Sequence, residues 1–252
     1  MNKLVLRENH AGIAVLTLNR PEKLNALSKD LIEALEEHVD AIARETKSVG
    51  LVILRGAAGN FSSGHDMKEV LAQVKAHAKP HHYVEVIDKV ANLPQPVIAA
   101  VQGHCSTGAL ELALAGDLIV AAESAQFCDA YARWGLTPIW GLSLRLPHRI
   151  GTSKASEMMF TCRTYSGREA QEMHLVNFCY PDEQFEAELA SLAADILANS
   201  WYSNQVDKRA LLESDGLTLE DVHHLALFKN EGLAPDAYQR VAVFFKRHKR
   251  PR

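Results

Sequence analysis

A glutamate and two glycines in the segment from Val101 to Glu111 form a pattern that suits chemistry. Gly103 and Gly108 separate a strand-like run from a helix-like run, so unpaired main-chain N–H groups would gather at the helix N-terminus. Partial positive charge there stabilises an anion or a developing oxyanion. Glu111 would share a helix face with Gly108 and could move a proton beside a polarised carbonyl. A packing turn whose glutamate only favours the helix dipole fits the same pattern.

A second polar loop, from Gly59 to Glu69, follows another apolar run at residues 49–54. Both loops would therefore leave a parallel sheet at the carboxyl ends of its strands, where open α/β sheets bind ligands. Taken alone, this loop is equally compatible with a polar stretch on the protein surface. Its interpretation depends on what else lies at the same edge of the sheet.

The elements that would position these loops alternate between strand-like and helix-like patterns. Runs rich in β-branched residues indicate strands, and apolar residues three or four apart indicate helices. In chain order the predicted elements are strands over 4–7 and 13–19 with a turn at 8–12, a helix over 28–46, a strand over 49–54, a helix over 80–92, a strand within 94–103, a helix over 107–115 and a strand over 117–122. This order predicts right-handed crossovers onto a parallel sheet.

From residue 150 onward the pattern becomes helical almost throughout. The predicted helices lie at 153–161, 166–174, 183–199, 201–213, 218–230 and 235–249. Two of them begin with capping signatures, which are Ser166 with Glu169 and Thr218 with Asp221. We therefore predict an α/β core over residues 1–190 that carries the site, followed by a C-terminal helical oligomerisation region over residues 191–252.

Composition and charge argue against several classes of function. The formal charge of −4 gives no electrostatic reason to expect a nucleic-acid partner. No window reaches the roughly 18–20 apolar residues of a membrane span, and the N-terminus has no signal-peptide pattern. The isolated cysteines read as reduced thiols, and the histidines have no spacing that suggests a metal site. We therefore expect a cytoplasmic protein with no membrane partner.

The motifs of the chain occur together in an order that resembles one family. They are Arg20-Pro21 with Leu24-Asn25-Ala26-Leu27, the runs 61–69 and 99–122, Ala125-Gln126-Phe127, the run 145–151, and Arg168-Glu169-Ala170 with Leu175-Val176. In this order and spacing they are similar to the crotonase (enoyl-CoA hydratase/isomerase) superfamily. The resemblance covers nearly the whole chain and is far more specific than one glycine-rich turn.

The resemblance implies an α/β fold, a crotonase-like spiral of ββα units with a C-terminal helical trimerisation region. It implies a homotrimer or a dimer of trimers, an acyl-CoA thioester substrate, and no cofactor beyond the coenzyme A of that substrate. In the family pattern two main-chain N–H groups polarise the thioester carbonyl, and here they fall on His65 and Gly108. The residues that match the coenzyme A site are Lys23, Asn25, Ala26, Ser63, Gly64, Asp66, Met67 and Lys68. The basic run at 246–252 is either a solvated tail or a contact for the coenzyme A phosphates.

The sequence departs from the family's hydratases at one catalytic position. Those enzymes orient a water molecule with two glutamates, and Glu111 matches the first of them. Tyr131 stands in place of the second, and its reference pKa of about 10 makes it a poor base that can still donate a hydrogen bond or a proton. Tyr131 could equally well be a residue that only lines the pocket. Asp129 would point to the same side on an extended segment, so it either compensates or serves as a structural hydrogen-bond acceptor.

This departure leaves the reaction open. We expect hydration or dehydration of a 2-enoyl-CoA, in which His65 and Gly108 hold a thioester enolate while Glu111 moves the proton. Double-bond isomerisation, or decarboxylation of a malonyl-type thioester, would use the same donors, and the match to the decarboxylase pattern is partial. A non-catalytic acyl-CoA-binding protein is an alternative of a different class. Trp140, in a loop that is glycine-rich in the family, either packs in the core or narrows the acyl pocket.

Overall fold

The structure is a computed structural model that describes residues 4–77, 81–223 and 232–248. The β-branched residues near the start of the chain form a hairpin of two antiparallel strands, β1 (Val5–His10) and β2 (Ile13–Leu18). Ala11 and Gly12 alone connect them, and both have the positive φ of a tight hairpin turn. The predicted hairpin is confirmed, with a shorter turn than expected.

The later strands extend this hairpin into a large sheet and add a small one. They are β3 (Leu51–Gly56), β4 (Val97–Val101), β5 (His104–Ser106), β6 (Leu118–Ala122), β7 (Gln126–Cys128), β8 (Thr164–Ser166) and β9 (Phe178–Tyr180). The large sheet has the order β1-β2-β3-β4-β6-β9, and every pair after the hairpin is parallel. In the small sheet, β5 and β7 are parallel while β7 and β8 are antiparallel. The predicted parallel sheet is confirmed.

The helices follow the strands in repeating units. They are α1 (Lys29–Ala43), α2 (Met67–Ala76), α3 (His81–Ala91), α4 (Gly108–Ala113), α5 (Leu142–Thr161), α6 (Gly167–Glu172), α7 (Phe185–Ala198), α8 (Trp201–Ser214) and α9 (Ala237–His248). In the units β4-β5-α4 and β6-β7-α5, the first strand joins the large sheet and the second joins the small one. The small sheet therefore delivers the chain to the start of each helix.

Both faces of the large sheet are covered, which explains the continuous apolar runs of its central strands. The apolar stripe of α1 packs into the main core on one face. On the other face, Phe185 and Leu189 of α7 pack against side chains of β3, β4 and β6. The predicted boundary at residue 190 falls within α7. The division into a core and a C-terminal region stays a prediction.

The helical half of the chain begins earlier than the sequence predicts. α5 starts at Leu142, where we expected a helix only from residue 153. It contains Pro147 and a break at Gly151, whose φ is +76°. A proline and a glycine so close together interrupt the apolar periodicity, and this conceals the first half of the helix.

The predicted helix caps are present where the structure describes them. Ser166 Oγ accepts the N–H of Glu169 at 3.3 Å, while the Glu169 carboxylate accepts the N–H of Ser166 at 2.8 Å. Thr218 Oγ1 accepts the N–H of Asp221 at 3.2 Å. Residues 224–231 and the side chains of the basic run at 246–252 lie outside the described residues. Among the described helices, none combines the length and the apolarity that a bilayer span requires.

Candidate active site

The loop that follows β3 runs beside the connection between β4 and β5. The N–H of Phe61 donates to the carbonyl of Gln102 at 2.8 Å, and the N–H of Ser62 donates to the carbonyl of His104 at 2.8 Å. Ser62 also forms a β-bridge with Cys105. These main-chain bonds bring together the two polar loops that the sequence analysis singled out.

Gly64 permits the closest approach between the two loops. Its φ is +94°, and a Cβ atom at this position would lie 2.3 Å from Thr107 Oγ1 and 2.5 Å from the carbonyl oxygen of Ser106. The N–H of Gly64 donates to Ser62 Oγ at 3.1 Å. The missing side chain therefore lets the first loop lie against the turn that begins α4.

Among the described residues, no main-chain carbonyl accepts the N–H of His65 or of Gly108. The bridge between Leu27 and His65 is formed by the chain neighbours of His65, so it does not use the N–H of His65 itself. Gly108 is the first residue of α4, where an N–H has no intrahelical acceptor. Thr107, just before it, has φ +51° and ψ −112°, a strained backbone for a β-branched residue.

Glu111 lies fully buried behind this turn. Its Oε1 accepts the N–H groups of Trp140 and Leu142, both at 3.0 Å, and its Oε2 accepts the hydroxyl of Tyr131 at 2.6 Å. Burial raises the pKa of Glu111, while the three hydrogen bonds oppose that rise. The carboxyl is therefore a proton acceptor whose orientation is fixed by the fold.

Tyr131 reaches Glu111 because β5 and β7 are parallel neighbours. The turns that follow the two strands leave the small sheet at the same edge, one toward α4 and the other toward Tyr131. Burial raises the pKa of Tyr131, and the nearby Glu111 carboxylate raises it further. Tyr131 therefore stays protonated at neutral pH and donates to Glu111.

Asp129 contacts the main chain of Tyr131. Its Oδ1 accepts the N–H of Tyr131 at 3.0 Å. Burial raises the pKa of Asp129, and this hydrogen bond opposes the rise. Of the two roles that the sequence left open, the observed hydrogen bond is the one expected of a structural acceptor.

Most of the residues that match the coenzyme A site surround a cleft of about 1150 Å³. The ones that line it are Lys23, Ala26, Ser63, Asp66, Met67 and Lys68, and Tyr131 lines it too. Asn25 lies beneath the cleft instead, where its Nδ2 donates to the carbonyls of Ala57 and Asn60 at 2.9 and 2.7 Å. Gly64 is buried at the loop crossing. Within the described residues, no group of three or more His, Cys, Asp or Glu side chains is arranged to hold a metal ion.

Two parts of this site were not predicted from the sequence. Arg20 lines the cleft and donates to Asp66 Oδ2 at 2.7 Å, although the sequence showed it only as part of a motif. Burial works to raise the pKa of Asp66, but the bonds from Arg20 and from the N–H of Lys68 hold it below its usual value. The second part is the pair of N–H groups from Trp140 and Leu142 on Glu111, for which no side chain gives a signal.

Comparison with sequence families points to one family. A family model described as enoyl-CoA hydratase/isomerase matches residues 8–226. A protein of Mycobacterium tuberculosis that is named a probable enoyl-CoA hydratase is 37% identical over an alignment 264 positions long, which covers 96% of this chain and 92% of the relative. The match thus extends over both polar loops and most of the helical half.

Solved structures agree with this assignment. An enoyl-CoA hydratase from Bacillus anthracis superposes with a TM-score of 0.88 at 30% identity, covering 97% of this chain and 96% of that one. A monofunctional enoyl CoA isomerase from M. smegmatis superposes with a TM-score of 0.75 at 35% identity, covering 88% and 98%. The predicted α/β fold of ββα units and the resemblance in the motifs are confirmed. The chain belongs to the enoyl-CoA hydratase/isomerase family.

Proposed function

We propose that the protein adds water reversibly to the double bond of a 2-enoyl-CoA. The observation that carries this proposal is the 2.6 Å contact between the Tyr131 hydroxyl and Glu111 Oε2 at the wall of the cleft. Tyr131 lines the cleft, whereas Glu111 is buried behind it. A proton from a bound water molecule therefore reaches Glu111 through the tyrosine.

The thioester carbonyl binds to the N–H groups of His65 and Gly108 in this proposal. Neither N–H group is paired with a main-chain carbonyl of the described residues, and Thr107, with its positive φ, orients the second of them. One such donor contributes about 2.7–4 kcal/mol to stabilisation of a developing oxyanion. Burial lowers the pKa of His65, so its ring is neutral at pH 7 and adds no charge of its own.

The proton path uses one carboxylate twice. As the water oxygen bonds to the β-carbon, a water proton passes to the Tyr131 oxygen while the tyrosine proton passes to Glu111. The enolate that remains is held by the two N–H groups, and the same path then runs in reverse to protonate the α-carbon. The raised pKa of Tyr131 opposes a free tyrosinate, so the two transfers occur together. Asp129 acts in this scheme as a positioning residue that holds the Tyr131 main chain.

Coenzyme A is proposed to occupy the outer part of the cleft. Lys23 and Lys68 are exposed cations on its wall, and such groups suit phosphates. The Arg20–Asp66 ion pair joins the segment that carries Lys23 to the start of α2. The surface between them, formed by Ala26, Ser63 and Met67 with the two lysines, is the proposed contact for the nucleotide and the pantetheine chain.

A homotrimer or a dimer of trimers in the cytoplasm is also part of the proposal. Large apolar side chains are exposed on α8 and α9, among them Leu211, Leu212, Tyr238 and Val241. Exposed apolar surface of this kind is typical of subunit interfaces. Light scattering on the purified protein would give the mass of the assembly, and a monomeric mass would refute this part.

Isomerisation is the second candidate reaction. It is favoured because Glu111 is the one carboxylate proposed to exchange a proton with the substrate. A single base that takes a proton from one carbon and returns it to another needs no second acid. The 35% identity to a solved enoyl CoA isomerase supports it as well. The proposed oxyanion donors would serve both reactions.

The test is a steady-state assay with crotonyl-CoA, in which hydration removes the absorbance of the conjugated thioester. We expect Glu111→Gln to lower kcat/KM by about 10²–10⁴-fold, while calorimetry shows unchanged affinity for coenzyme A.

The alternative functions give different results in the same kind of assay. A rise in the absorbance of the conjugated thioester when a 3-enoyl-CoA is supplied would indicate the isomerase, and release of carbon dioxide from methylmalonyl-CoA would indicate a decarboxylase. Binding without turnover of any of them would indicate an acyl-CoA-binding protein. Full activity in Glu111→Gln would refute the proposed base.

A further inference from the structure

Three aromatic rings pack against one another at the wall of the cleft, which two of them, His65 and Trp140, line. The rings of Tyr83 and Trp140 are stacked with centroids 4.8 Å apart and planes 11° apart. The ring of His65 lies 5.0 Å from the first and 4.8 Å from the second. Tyr83 and Trp140 are buried, with 4% and 1% of their surface exposed. We refer to these three side chains as the aromatic floor.

The indole of Trp140 lies directly over Gly108. A Cβ atom on Gly108 would be 2.2 Å from Cζ3 of the indole and 2.8 Å from Cε3, so no other residue fits beneath the ring. Gly108 supplies one of the N–H groups proposed to bind the thioester carbonyl. An acyl chain attached to that carbonyl therefore begins next to the indole.

Packing, rather than hydrogen bonding, sets the position of this ring. Among the described residues, the buried Nε1 of Trp140 has no hydrogen-bond partner. The main-chain N–H of Trp140 is fixed on Glu111 at 3.0 Å. The backbone that orients the proposed base thus also holds the ring, while the indole itself is retained by the stack and by Gly108. Phenylalanine would keep the packing partners and lose no hydrogen bond.

The neighbours of the aromatic floor prevent it from opening easily. The hydroxyl of Tyr83 donates to Glu69 at 2.7 Å, and Glu69 also accepts the N–H of Lys29 at the start of α1. Tyr83 is therefore tied to two helices, and the stacked indole cannot move without disturbing them. The aromatic floor therefore stays in place beside Gly108 when an acyl chain binds.

We propose that Trp140 is a specificity-determining residue that restricts the substrate to a short-chain acyl-CoA. This inference rests on the proposed thioester site at His65 and Gly108, and it assigns the acyl class that the site accepts. An acyl chain that extends from the thioester carbonyl meets the indole on the wall of the cleft, so a butyryl-sized group is accepted and an octanoyl group is not. Replacement of the indole by a smaller side chain opens the space in proportion to the volume removed.

The experiment measures calorimetric affinities for acetyl-, butyryl-, hexanoyl- and octanoyl-CoA. These saturated thioesters bind without reacting, so the result does not depend on which reaction occurs. For the natural sequence we expect affinity to stop rising, or to fall, beyond butyryl-CoA. For Trp140→Ala we expect it to keep rising by about fourfold for each added methylene that is buried. For Trp140→Phe, the acyl length at which affinity stops rising should lie between those of the natural protein and Trp140→Ala.

Trp134→Ala is the matched control, because Trp134 also lines the cleft but is 59% exposed. Whatever its effect on overall affinity, this variant should keep the natural length profile. Affinity of the unchanged protein that rises steadily from butyryl- to octanoyl-CoA would overturn the inference, even if the Trp140 variants failed to fold. Failure to bind any of the four thioesters would instead overturn the proposed function itself, and with it the substrate class.

Discussion

The two ends of the cleft differ in how their polar groups are held. At the inner end, Glu111 and Tyr131 are buried and bonded to each other and to main-chain groups. At the outer end, Lys23 and Lys68 are exposed. Groups held by the fold have their geometry before a ligand binds, whereas exposed cations supply attraction without fixed geometry. Changes at the inner end should therefore alter kcat, and changes at the outer end should alter KM.

The largest effect that would sharpen this comparison is expected from Tyr131→Phe. Loss of the proton relay should lower kcat by about 10²–10⁴-fold. The tyrosine hydrogen bond lowers the pKa of Glu111 by stabilising its ionised form, so removing it should raise that pKa. Glu111 must be ionised to act as the base, and the acidic limb of the pH profile of kcat/KM should consequently move to higher pH.

Tyr165→Phe is the control for that experiment. The hydroxyl of Tyr165 donates to Glu157 at 3.0 Å in another part of the molecule, so the variant also removes one tyrosine–carboxylate bond. Its pH profile should match that of the natural protein. A Tyr131→Phe profile with an unmoved acidic limb would mean that Glu111 is not the group that titrates.

Gly64→Ala should break the inner end without touching a catalytic side chain. The new Cβ would collide with Ser106 main chain, so the loop must shift and carry the N–H of His65 away from the thioester. Loss of one oxyanion donor lowers kcat by about 10²–10³-fold. Gly59→Ala provides the control, since Gly59 also has positive φ, but no atom of the described part of the chain lies within 4 Å of its added Cβ. It should lose about 1 kcal/mol of stability and keep its kcat. Equal kcat losses in both would point to backbone strain.

Local patterns in the sequence predicted the parts of the site that depend on the chain itself. The hairpin, the parallel strands and the placement of Glu111 after Gly108 follow from periodicity and from turn residues. The prediction that the two polar loops share one edge also depended only on the order of strands and helices. These features need no knowledge of distant side chains, which is why the sequence was sufficient for them.

The contacts that determine the chemistry depended on tertiary structure instead. Nothing near Glu111 in the chain indicates that the N–H groups of Trp140 and Leu142 donate to its carboxylate. Both groups lie at or just before the start of α5, and the sequence pattern did not predict that start because Pro147 and Gly151 interrupt the helix. The roles of Asp129 and Trp140 stayed open for the same reason. Each depends on which neighbour the folded chain places beside it.

A moderate effect is expected at the outer end, from Lys68→Ala. Loss of one exposed cation should raise KM for an acyl-CoA by about fivefold, which corresponds to about 1 kcal/mol, and leave kcat unchanged. The increase should shrink at high salt, because salt screens exposed charges. Lys75→Ala is the control, since Lys75 is an exposed lysine of the same helix that does not line the cleft. A salt-independent rise, or an equal rise in the control, would contradict a direct contact.

The smallest effect is expected from Asp129→Asn, which decides between the two roles that the sequence left open. Asparagine keeps the carbonyl oxygen that accepts the N–H of Tyr131, so a positioning role predicts kcat within about threefold of the natural value. Asp129→Ala removes that acceptor and should lower the free energy of unfolding by about 1 kcal/mol. If Asp129 supplied a catalytic proton, asparagine would lower kcat as strongly as Tyr131→Phe does. Steady-state kinetics and thermal unfolding of the two variants, measured together, separate a carboxylate that holds the main chain from one that reacts.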